Sequence, residues 1–338
     1  MRKMKRMAAL FLSAVAAFSC SACSGGSSGA VSGTAASGKM ARIDVVQLVE
    51  HEALDADYQG FVAGLKAAGY ERGKNLKIDF ENAQGEQANC ITIANKFVAD
   101  RPDLILAIAT TAAQVCANST KQIPILVTAV TDPATAKLVQ SNEKPGGNVS
   151  GTSDLTPVKE QIDLIRQIVP SVKTVGLLYN SSEVNSKFQI ELAKKECSAQ
   201  GLKYLEKTVS STNEIQQVAQ SLVGRVEAVY IPTDNMLASG MATVAQVLNG
   251  AKIPIVTGEA GMVKKGGIAT YGINYYKLGQ QTAAMAVKIL KGEAKPANMP
   301  IEYQKDMDVA VNQDVAKQLG ITLPQSLLSK ASSASSAG

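Results

Sequence analysis

Three landmarks recur in the same order in the two halves of this 338-residue chain, and no other feature limits its fold as strongly. Val175-Gly-Leu-Leu-Tyr179, followed by a helical stretch ending at Gly201, matches the β-branched run at 43–49, the helical stretch at 58–68 and Gly69. The run at 228–231 behind Val226-Glu227 echoes 104–108 behind Pro102-Asp103. Lys-Ile-Pro-Ile-Val-Thr at 252–257 echoes Gln-Ile-Pro-Ile-Leu-Val-Thr at 122–128. The offsets are 132, 124 and 130 residues, the near-constant spacing that a repeated architectural unit produces.

Between the landmarks, short β-branched runs alternate with amphipathic stretches, which is the rhythm of βαβ units and a mainly parallel sheet. Strands are expected at 43–49, 76–80, 104–108 and 124–128, with helices at 58–68, 88–99 and 112–119. The second half repeats strand 175–179, helix 188–199 and strands 228–231 and 252–257. The fold class is therefore α/β, with two similar lobes, each a parallel sheet sandwiched by helices. In open parallel sheets, ligands bind beyond the carboxyl ends of the strands. The segments there are 50–57, 109–111 and 129–132 in the first half and 180–186, 232–235 and 258–259 in the second. They supply the candidate ligand-binding residues Glu50, His51, Asp57, Thr110, Thr111, Thr131, Asp132, Asn180, Glu183, Asn185, Ser186, Asp234, Asn235 and Glu259. Any one of these loops also reads as a helix cap. Asp132 in Thr-Asp-Pro is equally a turn residue, and Glu183, Asn185 and Ser186 could simply open the next helix.

The first 22 residues read as a secretory signal, with Arg2, Lys3, Lys5 and Arg6 ahead of a short apolar run at 7–18 and small residues after it. Ser21-Ala22-Cys23 resembles a bacterial lipobox, which implies acylation of Cys23 and anchorage to a membrane surface. Cys20 is the alternative acceptor. Residues 23–40 read as a Gly/Ser-rich flexible tether, and 327–338 as a disordered tail. Four of the 34 basic residues lie in the signal, leaving 30 against 29 acidic ones and no basic cluster, so nucleic acid is not an expected partner.

Catalytic and metal motifs are missing. Gly-Thr-Ser-Asp at 151–154 lacks the second glycine of a nucleophile elbow. The opening strand runs into Glu50-His51-Glu52 instead of a glycine-rich dinucleotide turn. His51 is the only histidine and has no second ligand beside it, so it reads as a residue packing or hydrogen-bonding beside the cleft. Cys90, Cys116 and Cys197 show no CxxC spacing and read as buried free thiols. No catalytic residue, metal or cofactor is assigned.

At the loops the chain resembles the ABC-transporter substrate-binding proteins of the tryptophan/tyrosine type. The matching stretches are Gln-Leu-Val-Glu-His at 47–51, Ala-Ile-Ala-Thr-Thr-Ala-Ala-Gln at 107–114, Val-Thr-Asp-Pro at 130–133 and Lys-Pro-Gly-Gly-Asn-Val-Ser-Gly at 144–151. Further on they are Tyr-Asn-Ser-Ser-Glu-Val-Asn-Ser at 179–186, Ile-Pro-Thr-Asp-Asn at 231–235 and Asn-Gln-Asp-Val-Ala-Lys-Gln-Leu-Gly-Ile at 312–321. The resemblance implies a type I periplasmic-binding-protein fold with lobes at 41–150 plus 275–304 and 151–274 plus 305–326. Three crossings near 148–154, 271–274 and 305–312 would join them, with helix 277–290 returning to the first lobe. It implies an extracytoplasmic, non-enzymatic protein that carries an aromatic amino acid to an ABC permease and its ATPase. The same fold could instead sense a ligand for a receptor, or take a different small solute. For an amino acid, Thr110, Thr111 and Thr131 are expected at the carboxylate and Asp234 at the ammonium, with Tyr58, Tyr179 and Tyr271 available as walls.

Overall fold

A computed structural model describes residues 40–335. The signal segment, Cys23 and nearly all of the tether lie outside the described residues, as do 336–338.

The first sheet is built from β1 (Ala41–Gln47), β2 (Leu76–Asn82), β3 (Leu104–Ile108), β4 (Ile125–Val130) and β5 (Val149–Ser153). They are linked by α1 (Glu52–Ala67), α2 (Gln87–Asp100) and α3 (Thr110–Ser119). After α4 (Val158–Ile168) the plan repeats: β6 (Thr174–Asn180), α5 (Val184–Ala199), β7 (Lys203–Val209), α6 (Ile215–Gln220) and β8 (Ala228–Ile231). It continues through α7 (Asn235–Ser239), α8 (Met241–Gly250), β9 (Ile255–Thr257), α9 (Ala260–Lys264) and β10 (Ala269–Gly272). The chain ends with α10 (Tyr275–Leu290), β11 (Glu302–Tyr303), β12 (Asp308–Val311), α11 (Gln313–Leu319) and α12 (Gln325–Ser335).

The strand orders are β11-β5-β4-β3-β1-β2 and β12-β10-β9-β8-β6-β7, so the same permutation occurs twice. Every pair is parallel except β10 with β12. Helices cover both faces, which is why β3 and β8 are buried along their whole length and read as unbroken apolar runs. The chain passes between the sheets three times: after β5, between β10 and α10, and between β11 and β12. Two parallel α/β sheets of like topology, joined in this way, form the type I periplasmic-binding-protein fold. β5 carries the first sheet to Ser153, beyond the division expected at 150.

Two expectations are corrected. The tail from 327 was expected to be disordered, but 325–335 form α12, whose Leu327 is 1% exposed and packs with Leu323 in the second core. Two leucines buried four residues apart anchor a segment whose remaining composition is small and polar. The opening loop is also shorter than expected, because α1 starts at Glu52 instead of 58. Asp57 therefore sits inside the helix, fully buried.

The return of α10 to the first sheet depends on glycines. A Cβ at Gly60 would meet the Tyr276 carbonyl oxygen at 1.9 Å, and one at Gly279 would meet the Asp57 carbonyl oxygen at 1.9 Å. These are backbone atoms on both sides, so the two helices touch main chain to main chain. Gly279→Ala is expected to lower stability by about 1–3 kcal/mol through overpacking, read as a drop in the urea midpoint with an unchanged slope.

Candidate functional site

The strands of both sheets run carboxyl ends first into one gap, and the residues just past those ends form its walls. On the first wall two non-glycine residues, Ala109 and Ala129, hold φ of 82° and 52° in the left-handed region. Such backbone persists only where surrounding packing enforces it, and it concentrates at binding sites. Ala129 lines the central cavity together with His51, Leu54, Asp154 and Tyr275. Across the gap the cavity is lined by Asn185, Thr233, Asp234, Asn235, Glu259 and Met262.

Glu183 organises the second wall. Its Oε2 accepts from Asn235 Nδ2 at 2.6 Å, Asn235 N at 3.1 Å and Asn185 Nδ2 at 3.1 Å. Its Oε1 accepts from Met236 N at 3.1 Å and Asn180 Nδ2 at 3.3 Å. Asn185 Nδ2 also donates to the Thr233 carbonyl at 3.0 Å, which turns Asn185 Oδ1 away, buried and without a partner. Asp234, expected at the ammonium, is instead committed to the protein. Its Oδ1 accepts from Leu237 N at 2.9 Å as the N-cap of α7, and its Oδ2 accepts from Asn180 N at 2.6 Å and Ser186 Oγ at 2.7 Å. Burial and the neighbouring Glu183 push the Asp234 carboxyl up to about 7 against those donors. Glu259 likewise caps α9 with both oxygens, and burial pushes it up to about 7.

Among the carboxylates that line the cavity, Asp154 has a free oxygen, and sequence reasoning missed it; Asp57 Oδ2 is also unpartnered but does not line the cavity. Asp154 follows β5 at the first crossing and is 3% exposed. Its Oδ2 accepts from Tyr275 OH at 2.8 Å, while Oδ1 is buried without a partner. Burial pushes its carboxyl up to about 6. The signal was an acidic residue directly behind a strand end at a crossing. In the sequence that stretch reads as a crossing and as a failed nucleophile elbow, not as a ligand contact.

His51 is 6% exposed and closes the gap from the first wall, its Nε2 lying 3.2 Å from Asn235 Oδ1. Its Nδ1 is buried and unpartnered, and burial holds the imidazole down to about 4, so the ring is neutral. Thr131 Oγ1 accepts from Gln189 Nε2 at 3.3 Å and lies 3.5 Å from Thr233 Oγ1. Glu52 pairs with Lys264 at the rim. The walls are thus tied together at three places.

Other expected residues lie at the margins. Glu50 is exposed on an outer groove with His51. Thr111 and Asn180 line the wider mouth, and Thr110 and Asp132 a smaller side hollow. Asp132 performs turn work, accepting from Thr135 N at 2.6 Å and Asn142 Nδ2 at 2.8 Å. Asp57 accepts from Thr128 Oγ1 at 3.0 Å behind the site, and burial holds its carboxyl well above the usual range. Tyr58 packs on Phe80, Tyr179 donates to Glu206 and Tyr271 meets Lys330, so Tyr275 is the aromatic wall. Cys90, Cys116 and Cys197 are buried free thiols. Among the described residues, no cluster of His, Cys, Asp and Glu is arranged to hold a metal.

Removing Glu183 strands several buried donors at once. Glu183→Ala is expected to cost about 3–5 kcal/mol, measured by urea denaturation. Asp154 gives a second expectation. Its carboxyl stands at about 6 in the fold against 3.8 ordinarily, so the folded protein holds a proton that the unfolded chain has released. Stability therefore falls as pH rises through this window and is level above it. Between about pH 4 and pH 7.5 the ligand-free wild type should lose roughly 2–3 kcal/mol relative to Asp154→Asn, which cannot ionise.

The model of the ABC transporter substrate binding protein family matches residues 42–335. A tyrosine-binding protein of Clostridioides difficile is 43% identical over 281 residues, 83% of this chain and 81% of that protein. A Streptococcus protein solved in complex with L-Trp is 42% identical, covers 87% of this chain and 99% of its own, and superimposes with a TM-score of 0.84. A ligand-free, open substrate-binding protein with adhesive properties from Clostridium difficile is 47% identical over 84% of this chain and 96% of its own, with a TM-score of 0.66. Matched along its whole folded length by sequence and by structure, the chain belongs to the ABC transporter substrate-binding protein family.

Proposed function

We propose that the cleft binds a free aromatic amino acid and that the protein delivers it to an ABC permease and its ATPase, held at the outer membrane surface by a lipid on Cys23. The observation that carries the reading is that two bare acceptors, Asp154 Oδ1 and Asn185 Oδ1, belong to residues lining one cavity from its two walls. A buried carboxylate with one oxygen left bare is costly, and an α-ammonium supplies three N–H donors and the opposite charge. Leu54, Met262 and Tyr275 offer apolar surface to a ring. Helices α1 and α3 start at the cleft with no side-chain cap, which leaves their N-terminal amides, with the Thr131 hydroxyl, for the α-carboxylate. The relatives support the solute class, since one is named for tyrosine and another holds L-Trp. The chain superimposes better on that complex than on the open relative, although the open relative is closer in sequence. This supports the described conformation as the closed one, and lobe closure as the way ligand is held.

The test is calorimetry of protein lacking residues 1–22 against tyrosine, tryptophan and phenylalanine. At least one should bind, and Asp154→Asn should weaken binding by about 30-fold or more, the loss of a buried charge partner, while melting no lower than wild type. An Asp154→Asn variant with wild-type affinity would remove Asp154 from the ammonium site. Binding by sugars or nucleosides alone would leave the transport role and replace the solute.

A further inference from the structure

His51 is the single histidine of the chain, and neighbours with fixed roles decide which of its nitrogens carries the proton. A carboxylate only accepts, so the Asn235 amide nitrogen faces Glu183 Oε2, at 2.6 Å. The Asn235 amide oxygen must then face the other way, and it lies 3.2 Å from His51 Nε2. Two acceptors make no hydrogen bond, so Nε2 bears the N–H and donates to Asn235. The ring is neutral, because burial holds it down to about 4. Nδ1 is left as a bare lone pair, buried in a side chain 6% exposed, on the cavity wall. Asp154 Oδ1 and Asn185 Oδ1 carry two lone pairs each, enough for the three N–H groups of an ammonium, which leaves Nδ1 for a donor elsewhere on the ligand.

We propose that His51 Nδ1 reads the ligand's side chain, accepting a hydrogen bond from a ring-borne O–H or N–H, so that the cleft takes phenol- and indole-bearing amino acids in preference to phenylalanine. The inference rests on the amino acid reading of the cleft and adds what distinguishes one aromatic ligand from another. Phenylalanine fills the same space but strands the lone pair away from water, and a site built to bond a donor rejects the analogue lacking it. Glu183 acts through Asn235 as the positioning residue that keeps the ring in the accepting tautomer.

One histidine gives one imidazole signature, so nitrogen NMR of protein labelled at histidine reads it directly. Saturated with tyrosine, tryptophan or phenylalanine, the ring should be in the Nε2–H form, with the Nδ1 resonance of the tyrosine and tryptophan complexes displaced from that of the phenylalanine complex. An Nδ1–H ring in the tyrosine complex, or one Nδ1 position in all three, overturns the proposal. Calorimetry adds a second reading: wild type should prefer tyrosine to phenylalanine by about tenfold or more, and His51→Leu should bring the ratio near one. Loss of the Asn235 bond weakens both ligands alike and leaves the ratio untouched. A preference that survives in His51→Leu overturns the assignment. Equal binding of the two by wild type overturns this inference alone, whereas binding of no aromatic amino acid overturns the reading beneath it as well.

Discussion

A carboxylate that is 4% exposed must collect donors, and Glu183 collects five of them. Those donors come from the end of β6 and from the starts of α5 and α7, so one buried charge joins two separate βα loops into a single wall. The orientation of both asparagine amides follows from it, and so do the two bare acceptors reached through them, Asn185 Oδ1 directly and His51 Nδ1 through Asn235. Ser186 and Asn180 hold Asp234 in the same framework. Within the network around Glu183, the unpartnered acceptors are Asn185 Oδ1 and His51 Nδ1, both on residues that line the cavity, which is the pattern of a site preorganised for a ligand.

Asp154 and Tyr275 lie at the first two crossings between the sheets, and their hydrogen bond spans both. The charge contact proposed for the ligand is therefore made at the hinge itself. In the proposed complex a bound ammonium would stabilise the ionised form of Asp154, whose burial is otherwise unfavourable, and would do so only while the walls are shut. Ligand charge and lobe closure would then be coupled through that carboxyl, at the expense of stability in the empty protein.

The sheets, their repeat and the loops at their carboxyl ends were legible because β-branched runs and Ile-Pro-Ile landmarks are local signals. The roles within the loops were not. Asp234 and Asp154 both follow strands, and only the distribution of N–H donors in three dimensions separates a cap from a free carboxylate. Asp132 was open between turn and contact, and the answer came from Asn142, ten residues away. α1 was placed too late because His51 and Glu52 carry no capping signature. α12 was hidden because its serine- and alanine-rich composition outweighs the two leucines that bury its start.

The main-chain contact between α1 and α10 joins segments more than two hundred residues apart, and β11 completes the first sheet later still. Each sheet takes five of its six strands from one continuous stretch, β1 to β5 and β6 to β10, and the second sheet closes with β12, after β11. As the chain emerges from its amino end, the lobe begun first has the longer wait, from the end of β5 at 153 to the start of α10 at 275 against 272 to 308 for the second, with the faces that α10 will cover left exposed. Assembly of the first lobe is a long-range, late step, slowed by the closure of so large a loop. The topology thus postpones completion of both lobes until nearly all of the chain has arrived.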